Sequence, residues 1–137
     1  MKDSYALITG ASSGIGLEIA KNLAKRGYNL ILTARRTELL ESLSKEITNE
    51  NNINVDIISK DLSQYEAPKE IFEFCESKNY RVDILVNNAG YGIKTSFHET
   101  SIEDEEAFIR VLGTSVIMLT KLFIPKMLEN GGGKIMI

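Results

Sequence analysis

The sequence has one cysteine, one histidine and two prolines in 137 residues. A lone Cys75 excludes a disulfide framework and any zinc site built from cysteines, and it fits a reducing, cytoplasmic setting. A single His98 leaves no histidine cluster. It lies in a polar stretch, where a surface or substrate-loop position is the expectation. No run approaches the ~18 apolar residues of a membrane span, and no signal-peptide pattern opens the chain. Sixteen basic against nineteen acidic residues give a net charge of −3, which argues against general nucleic-acid binding. The composition is 43% hydrophobic and 26% charged, too apolar for a disordered segment. The length fits one domain, since domains most often run ~100–150 residues. Residues 1–137 are therefore read as one unit.

Short apolar runs alternate with helical patterns. The runs are Ala6-Leu7-Ile8, Leu30-Ile31-Leu32, Val55 to Ile58, Ile84-Leu85-Val86 and Ile135-Met136-Ile137. Most are continuous, as in parallel strands covered on both faces. Ile15, Ile19 and Leu23 predict the inner stripe of a first helix that Gly27 stops. Thr37 is placed to cap a second helix with Leu39, Leu40, Leu43 and Ile47 inside. Pro68 suits the first turn of a third helix carrying Ile71, Phe72 and Cys75. Ser101 and Asp104 form a capping-box pattern for a long fourth helix reaching about Leu128, with a kink expected at Pro125. Glu103 to Glu106 would be its solvated start. Gly131-Gly132-Gly133 turns the chain into a last strand. The alternation implies an α/β fold, a doubly wound Rossmann-like parallel sheet with right-handed crossovers.

The strongest local signal is Thr9-Gly10-Ala11-Ser12-Ser13-Gly14-Ile15-Gly16, between the first strand and the first helix. That is the context a dinucleotide fingerprint needs. Gly10 would allow a tight turn, Gly14 would let backbone approach a pyrophosphate, and Gly16 would let the helix pack close to the sheet. The helix N-terminus, with Ile15 in its first turn, offers N–H groups and partial positive charge to phosphates. A NAD site usually carries an acidic residue about 20 residues on. Here the second strand ends Thr33-Ala34-Arg35-Arg36, with Ala34 at that place. A guanidinium pairs well with a 2′-phosphate. The expectation is NADP rather than NAD, with Arg35 the main contact, Arg36 beside it and Ser12 or Ser13 adding a hydroxyl.

These features join Asp61-Leu62 after the third strand, Asn87-Asn88-Ala89-Gly90 after the fourth, and Leu119 to Met127 closing the long helix. Together they resemble the short-chain dehydrogenase/reductase family along the whole chain. The resemblance implies a Rossmann-like sheet continuing beyond a fifth strand, so that this chain corresponds to the family's N-terminal half. It implies hydride transfer between a nicotinamide and an alcohol or carbonyl. Asp61 would accept from the adenine amino group, with the Leu62 backbone beside it. Asn88, Ala89 and Gly90 would line the ribose and the path to the nicotinamide, and Asn87 would tie neighbouring strands. Tyr91 and Gly92 would sit near a substrate pocket.

The family's proton chemistry uses a tyrosine, a lysine four residues later, a serine and an asparagine. A phenol is a poor base at neutral pH, its pKa being near ~10, and a neighbouring ammonium favours the phenolate. The serine and the Tyr-x-x-x-Lys motif lie after the fifth strand in the family pattern, so no catalytic residue is assigned here. The asparagine's place holds Leu112, or Arg110 if Gly113 anchors the alignment. Tyr65-Glu66-Ala67-Pro68-Lys69 matches Tyr-x-x-x-Lys by spacing, but Pro68 makes a continuous helix from Tyr65 unfavourable. Two functions stay open: the NADP(H)-binding part of an oxidoreductase, with a small-molecule substrate if the C-terminal half is present, or a non-catalytic nucleotide-binding or interaction fragment. Self-association is expected through the fourth helix, including Ile117, Phe123 and Ile124, or through the exposed edge of the last strand.

Overall fold

A computed structural model describes residues 3–137. The strands are β1 (Ser4–Thr9), β2 (Asn29–Ala34), β3 (Val55–Ser59), β4 (Arg81–Val86) and β5 (Lys134–Met136). The α-helices are α1 (Gly14–Lys25), α2 (Thr37–Glu50), α3 (Ala67–Ser77), α4 (Ile102–Ile109) and α5 (Ser115–Glu129). All pairings are parallel, and the order is β3-β2-β1-β4-β5. Strand order reverses between β1 and β4, the place where open α/β sheets put their ligand crevice.

Strand alternation divides the core between two faces. Ala6, Ile8, Leu30, Leu32 and Val86 meet Ala20, Ala24, Leu40, Leu43 and Ile47 of α1 and α2. Leu7, Ile31, Val82 and Leu85 meet Ile71, Cys75, Leu119, Phe123 and Met127 of α3 and α5. Each fully buried Leu or Ile contributes about 1.5–3 kcal/mol relative to exposure. The expected doubly wound sheet is therefore present.

Helix ends follow a shared logic. Gly27, Asn79 and Gly131 all have positive φ just past α1, α3 and α5. In each case that residue's N–H and the next one bond back into the last turn: Gly27 to Ala24 and Tyr28 to Leu23, for example. This Schellman pattern satisfies carbonyls that a helix end leaves unpaired. Pro68 occupies the first turn of α3, and Ser101 with Asp104 forms the expected capping box on α4.

Several expectations need correction. Thr37 does not cap α2: the helix begins there, Arg36 precedes it, and the Arg36 side chain makes no cap bond. Ile15 is 73% exposed and Leu39 is 39% exposed. Gly16, Ala20 and Ala24 supply the deeply buried stripe of α1 instead, because small residues let it lie close to the sheet. Phe123 is core rather than surface, edge-on to Phe72 at 5.1 Å. Helix α5 runs through Pro125 to Glu129, and the irregularity lies earlier, in a π turn at Arg110–Thr114. Taken as one piece, Ile102 to Glu129 is long and apolar enough to cross a membrane by length and composition, which corrects the expectation that no run approaches that length. It includes Arg110 and Lys121, and its Leu119, Phe123 and Met127 are buried against the sheet side of the fold.

Candidate functional site

The carboxyl ends of β1, β2 and β4 open on a cleft of about 520 Å³. That is within the usual range for small-molecule sites. It brings together Gly10, Ser12, Ser13, Gly14 and Ile15 from the first turn, Arg35 and Arg36 after β2, Asp61 and Leu62 after β3, and Asn88, Ala89 and Gly90 after β4. Of the residues proposed from sequence to bind the cofactor, only Gly16 does not line it.

Gly16 acts from behind the wall. A Cβ there would stand 2.4 Å from the Asn88 side-chain nitrogen and 2.4 Å from the Gly10 carbonyl oxygen. Gly10 has φ +63° and would press a Cβ to 2.8 Å from the Ala89 Cα. Gly14 has φ +58° but nothing within 4 Å of the missing Cβ. The first and third glycines thus serve contact inside the protein, whereas the second needs its backbone conformation and faces open space.

Asn88 ties β1 to β4. Its amide donates to the Thr9 carbonyl at 3.0 Å and the Gly10 carbonyl at 3.2 Å. The Thr9 hydroxyl accepts from the Asn88 and Ala89 N–H groups, each at 2.9 Å, and donates to the Val86 carbonyl at 3.3 Å. Asn87 turns outward from that junction: its side chain donates to Thr120 of α5, and its N–H to the Met136 carbonyl of β5. The resemblance implied a strand tie at Asn87; the Asn87 N–H joins β4 to β5, and the tie from β4 to β1 is made by Asn88.

Ser13 precedes α1 without a side-chain cap bond, and no acidic residue occupies the first turn. The positive helix end therefore faces the cleft uncompensated. Ser59 donates its hydroxyl to the Arg35 carbonyl at 3.0 Å, which fixes the backbone that carries the arginine. Among the described residues neither Arg35 nor Arg36 has an ion-pair partner, and both side chains are exposed. Lys60 also lines the cleft, but its ammonium is paired with Glu70. One Asp61 oxygen accepts from the Ser63 N–H at 2.9 Å, an Asx turn that holds the loop and leaves the other oxygen to the cleft.

Sequence reasoning missed Thr33, Lys60, Ser63, Ala107 and Val111 among the lining residues. Thr33, Lys60 and Ser63 flank residues already singled out; Ala107 and Val111 arrive from α4 and the π turn and carried no local signal. Tyr91 lines the cleft, with its ring edge-on to Phe108 at 5.4 Å. Leu112 is 44% exposed and its Cδ2 would lie 2.9 Å from a Cβ on Gly90. Tyr65 lies outside α3 and is 60% exposed, while Lys69 pairs with Glu73, so the Tyr-x-x-x-Lys spacing at Tyr65 is not one helical face. His98 is exposed in a 3₁₀ turn, Phe97–Glu99. Cys75 is buried, and burial pushes its thiol up to about 12. No group of acidic, histidine or cysteine side chains among the described residues could hold a metal ion.

The model of the short chain dehydrogenase family matches residues 4–137. The chain belongs to that family. It is 35% identical to a very-long-chain 3-oxoacyl-CoA reductase of Vanderwaltozyma polyspora, over 93% of this chain and 37% of that protein. Among solved structures, a short-chain dehydrogenase from Sphingobium yanoikuyae in complex with NADPH superposes with a TM-score of 0.89 at 31% identity. That match covers 96% of this chain and 51% of that one. L-sorbose reductase from Gluconobacter frateurii, complexed with NADPH and L-sorbose, gives a TM-score of 0.89 at 32% identity, covering 98% and 53%. This chain thus spans between a third and about half of the length of these relatives.

Proposed function

We propose that residues 1–137 form the NADP(H)-binding portion of a short-chain oxidoreductase acting on an alcohol or carbonyl. The observation that carries this reading is the two guanidinium groups of Arg35 and Arg36 at the rim of the cleft, without ion-pair partners among the described residues, with Ala34 where a NAD site would carry a carboxylate. A carboxylate at that place would repel a 2′-phosphate; an arginine pairs with it bidentately. The NADPH held by the Sphingobium and Gluconobacter relatives supports the same choice.

The residues present fit a dinucleotide. Open space over Gly14 leaves room for phosphate against backbone, and the uncapped start of α1 supplies N–H groups and positive charge. Ser12 and Ser13 stand beside that position with hydroxyls. Asp61 would accept from the adenine amino group, flanked by Leu62, and Ala89 and Gly90 would line the path onward. The Asn88 side chain contributes by holding Gly10 in place, because its amide protons are already committed to the Thr9 and Gly10 carbonyls. When bound, the nicotinamide would supply or accept a hydride.

No residue among the 137 is assigned proton transfer. The reading therefore includes no turnover by this segment alone, and NADPH-dependent reduction of any carbonyl by it would refute that part. Leu112, an alkyl chain against Gly90 where the family places an asparagine, favours the alternative of a nucleotide-binding fragment without chemistry. Self-association through the exposed Ile109, Ile117 and Ile124 or the β5 edge belongs to the same reading, and a monomer in sedimentation at high concentration would remove it. Fluorescence titration with NADPH and NADH tests the cofactor. Expected is binding of NADPH tighter by about tenfold, the order of one charge-assisted contact; tighter NADH overturns the assignment.

A further inference from the structure

Thr33 lines the cleft and is only 1% exposed. It lies near the end of β2, paired with Thr9 of β1 and Ile58 of β3. Its hydroxyl is buried and has no hydrogen-bond partner. Thr9, directly beside it, accepts two N–H bonds and donates one. A hydroxyl withdrawn from water and left unpaired destabilises the fold, and valine would fill nearly the same volume without it. The Thr33 backbone carbonyl already accepts from the Ala11 N–H, so the strand itself is satisfied. The unmet group is the side chain, on a wall that continues to Arg35, Asp61 and Leu62.

We propose that Thr33 is a binding residue whose hydroxyl takes its missing partner from the adenosine part of a bound dinucleotide. This rests on reading the cleft as a dinucleotide site. Rotation about χ1 turns the oxygen toward a ligand atom seated against that wall, and the bond exists only in the loaded state. Threonine is thus kept at a place where the empty protein would be better served by valine.

The test is calorimetric titration of this chain and of Thr33→Val and Thr33→Ser with NADPH and with 2′,5′-ADP, which carries the adenosine and both phosphates but no nicotinamide. Expected for Thr33→Val is binding of 2′,5′-ADP weakened by about five- to tenfold, with Thr33→Ser within about twofold of the parent. The unliganded Thr33→Val protein should melt no lower than the parent, since it loses an unpaired buried group. A valine variant that binds within about twofold, or that melts well below the parent without ligand, overturns the role of Thr33. A parent chain that binds neither NADPH nor 2′,5′-ADP overturns the dinucleotide reading and the Thr33 proposal with it. Thr33→Ala, read for binding alone because its smaller side chain leaves a cavity, should lose 2′,5′-ADP affinity by the same factor, and an affinity within about twofold of the parent would overturn the role as well.

Discussion

The Asn88 side-chain nitrogen donates to the Gly10 carbonyl at 3.2 Å, and the Cβ that Gly16 lacks would fall 2.4 Å from both of those atoms. Turn, tie and helix start therefore occupy one packed junction. Both obstacles are held in place, one being backbone and the other an amide with two acceptors. Gly16→Ala must displace them, and overpacking of this kind costs about 1–3 kcal/mol. Asn88→Leu leaves the Thr9 and Gly10 carbonyls without that donor, at about 1–3 kcal/mol for a buried group left unpaired. Urea denaturation should show both losses. Near-parental stability of Gly16→Ala would mean that α1 slides away from the sheet at little cost.

The other two glycines of the turn separate conformation from contact. Gly10→Ala adds a clash at 2.8 Å to the strain of a left-handed backbone. Gly14→Ala adds only the strain, about 1–2 kcal/mol, because its surroundings are open. Gly14→Ala should therefore remain folded while binding NADPH more weakly, since its methyl intrudes on the space assigned to phosphate. Gly10→Ala should lose stability and binding together. Parallel thermal melts and fluorescence titrations distinguish the two, and equal losses in both variants would contradict this division.

Much of this was legible because the physics is local. Short apolar runs, most of them continuous, marked β1 to β5, and the strand-turn-helix context marked the glycines. What escaped depended on three-dimensional neighbours. Ile15 and Ile19 belong to one helical stripe by spacing, yet Ile15 is exposed at the helix start while Gly16, Ala20 and Ala24 meet the sheet. Phe123 reads as a surface candidate until α3 lays Phe72 against it. Asn87 and Asn88 have the same chemistry, and only the pleat decides which one faces β1. The π turn at Arg110–Thr114 leaves no compositional trace, although Pro125 in the same helix invites a kink that is not needed.

On the proposed reading Ala34 and Arg35 set the cofactor preference, so two substitutions should reverse it. Ala34→Asp introduces a carboxylate where a ribose 2′-hydroxyl would be held in a NAD site, and it repels a 2′-phosphate. Arg35→Gln removes the fork without changing the backbone that Ser59 anchors. The double variant should shift the NADPH-to-NADH affinity ratio by at least about tenfold toward NADH, with melting temperature little changed. A ratio that does not move would transfer the phosphate contact to Arg36 or elsewhere.

Alkaline pH should weaken the fold. Burial raises the Cys75 thiol from 9.0 to about 12, and burial followed by Asp56 raises the Tyr80 phenol as well. Lys21 and Lys126 are raised by hydrogen bonds to Glu46 and Glu76. For each, the folded state holds its proton more tightly than the unfolded state. Their contribution is thus complete below the unfolded values and is lost as pH climbs through the folded ones. The urea midpoint should be level near neutrality and fall progressively from about pH 9 toward 12. Within the folded protein Cys75 should resist alkylation at pH 8, its labelling following unfolding. Prompt labelling, or a midpoint that rises above pH 9, would contradict the buried thiol.

Gly90 lines the cleft beside Tyr91 and Val111, and Leu112, outside the lining, reaches toward Gly90 with its Cδ2. A Cβ at Gly90 would meet the Leu112 Cδ2 at 2.9 Å, and that atom is the far end of a flexible, 44% exposed side chain. Gly90→Ala should therefore cost less than about 1 kcal/mol, most of it recovered when Leu112→Ala is added. The same cycle read through NADPH affinity asks a separate question. If Leu112 leans on the ligand path through Gly90, shortening it leaves affinity equal or better, whereas the methyl of Gly90→Ala weakens it and the double variant restores it. Non-additivity in both stability and affinity is expected because the two residues touch. Strict additivity would place Leu112 elsewhere in solution, swung off the loop by the π turn that carries it.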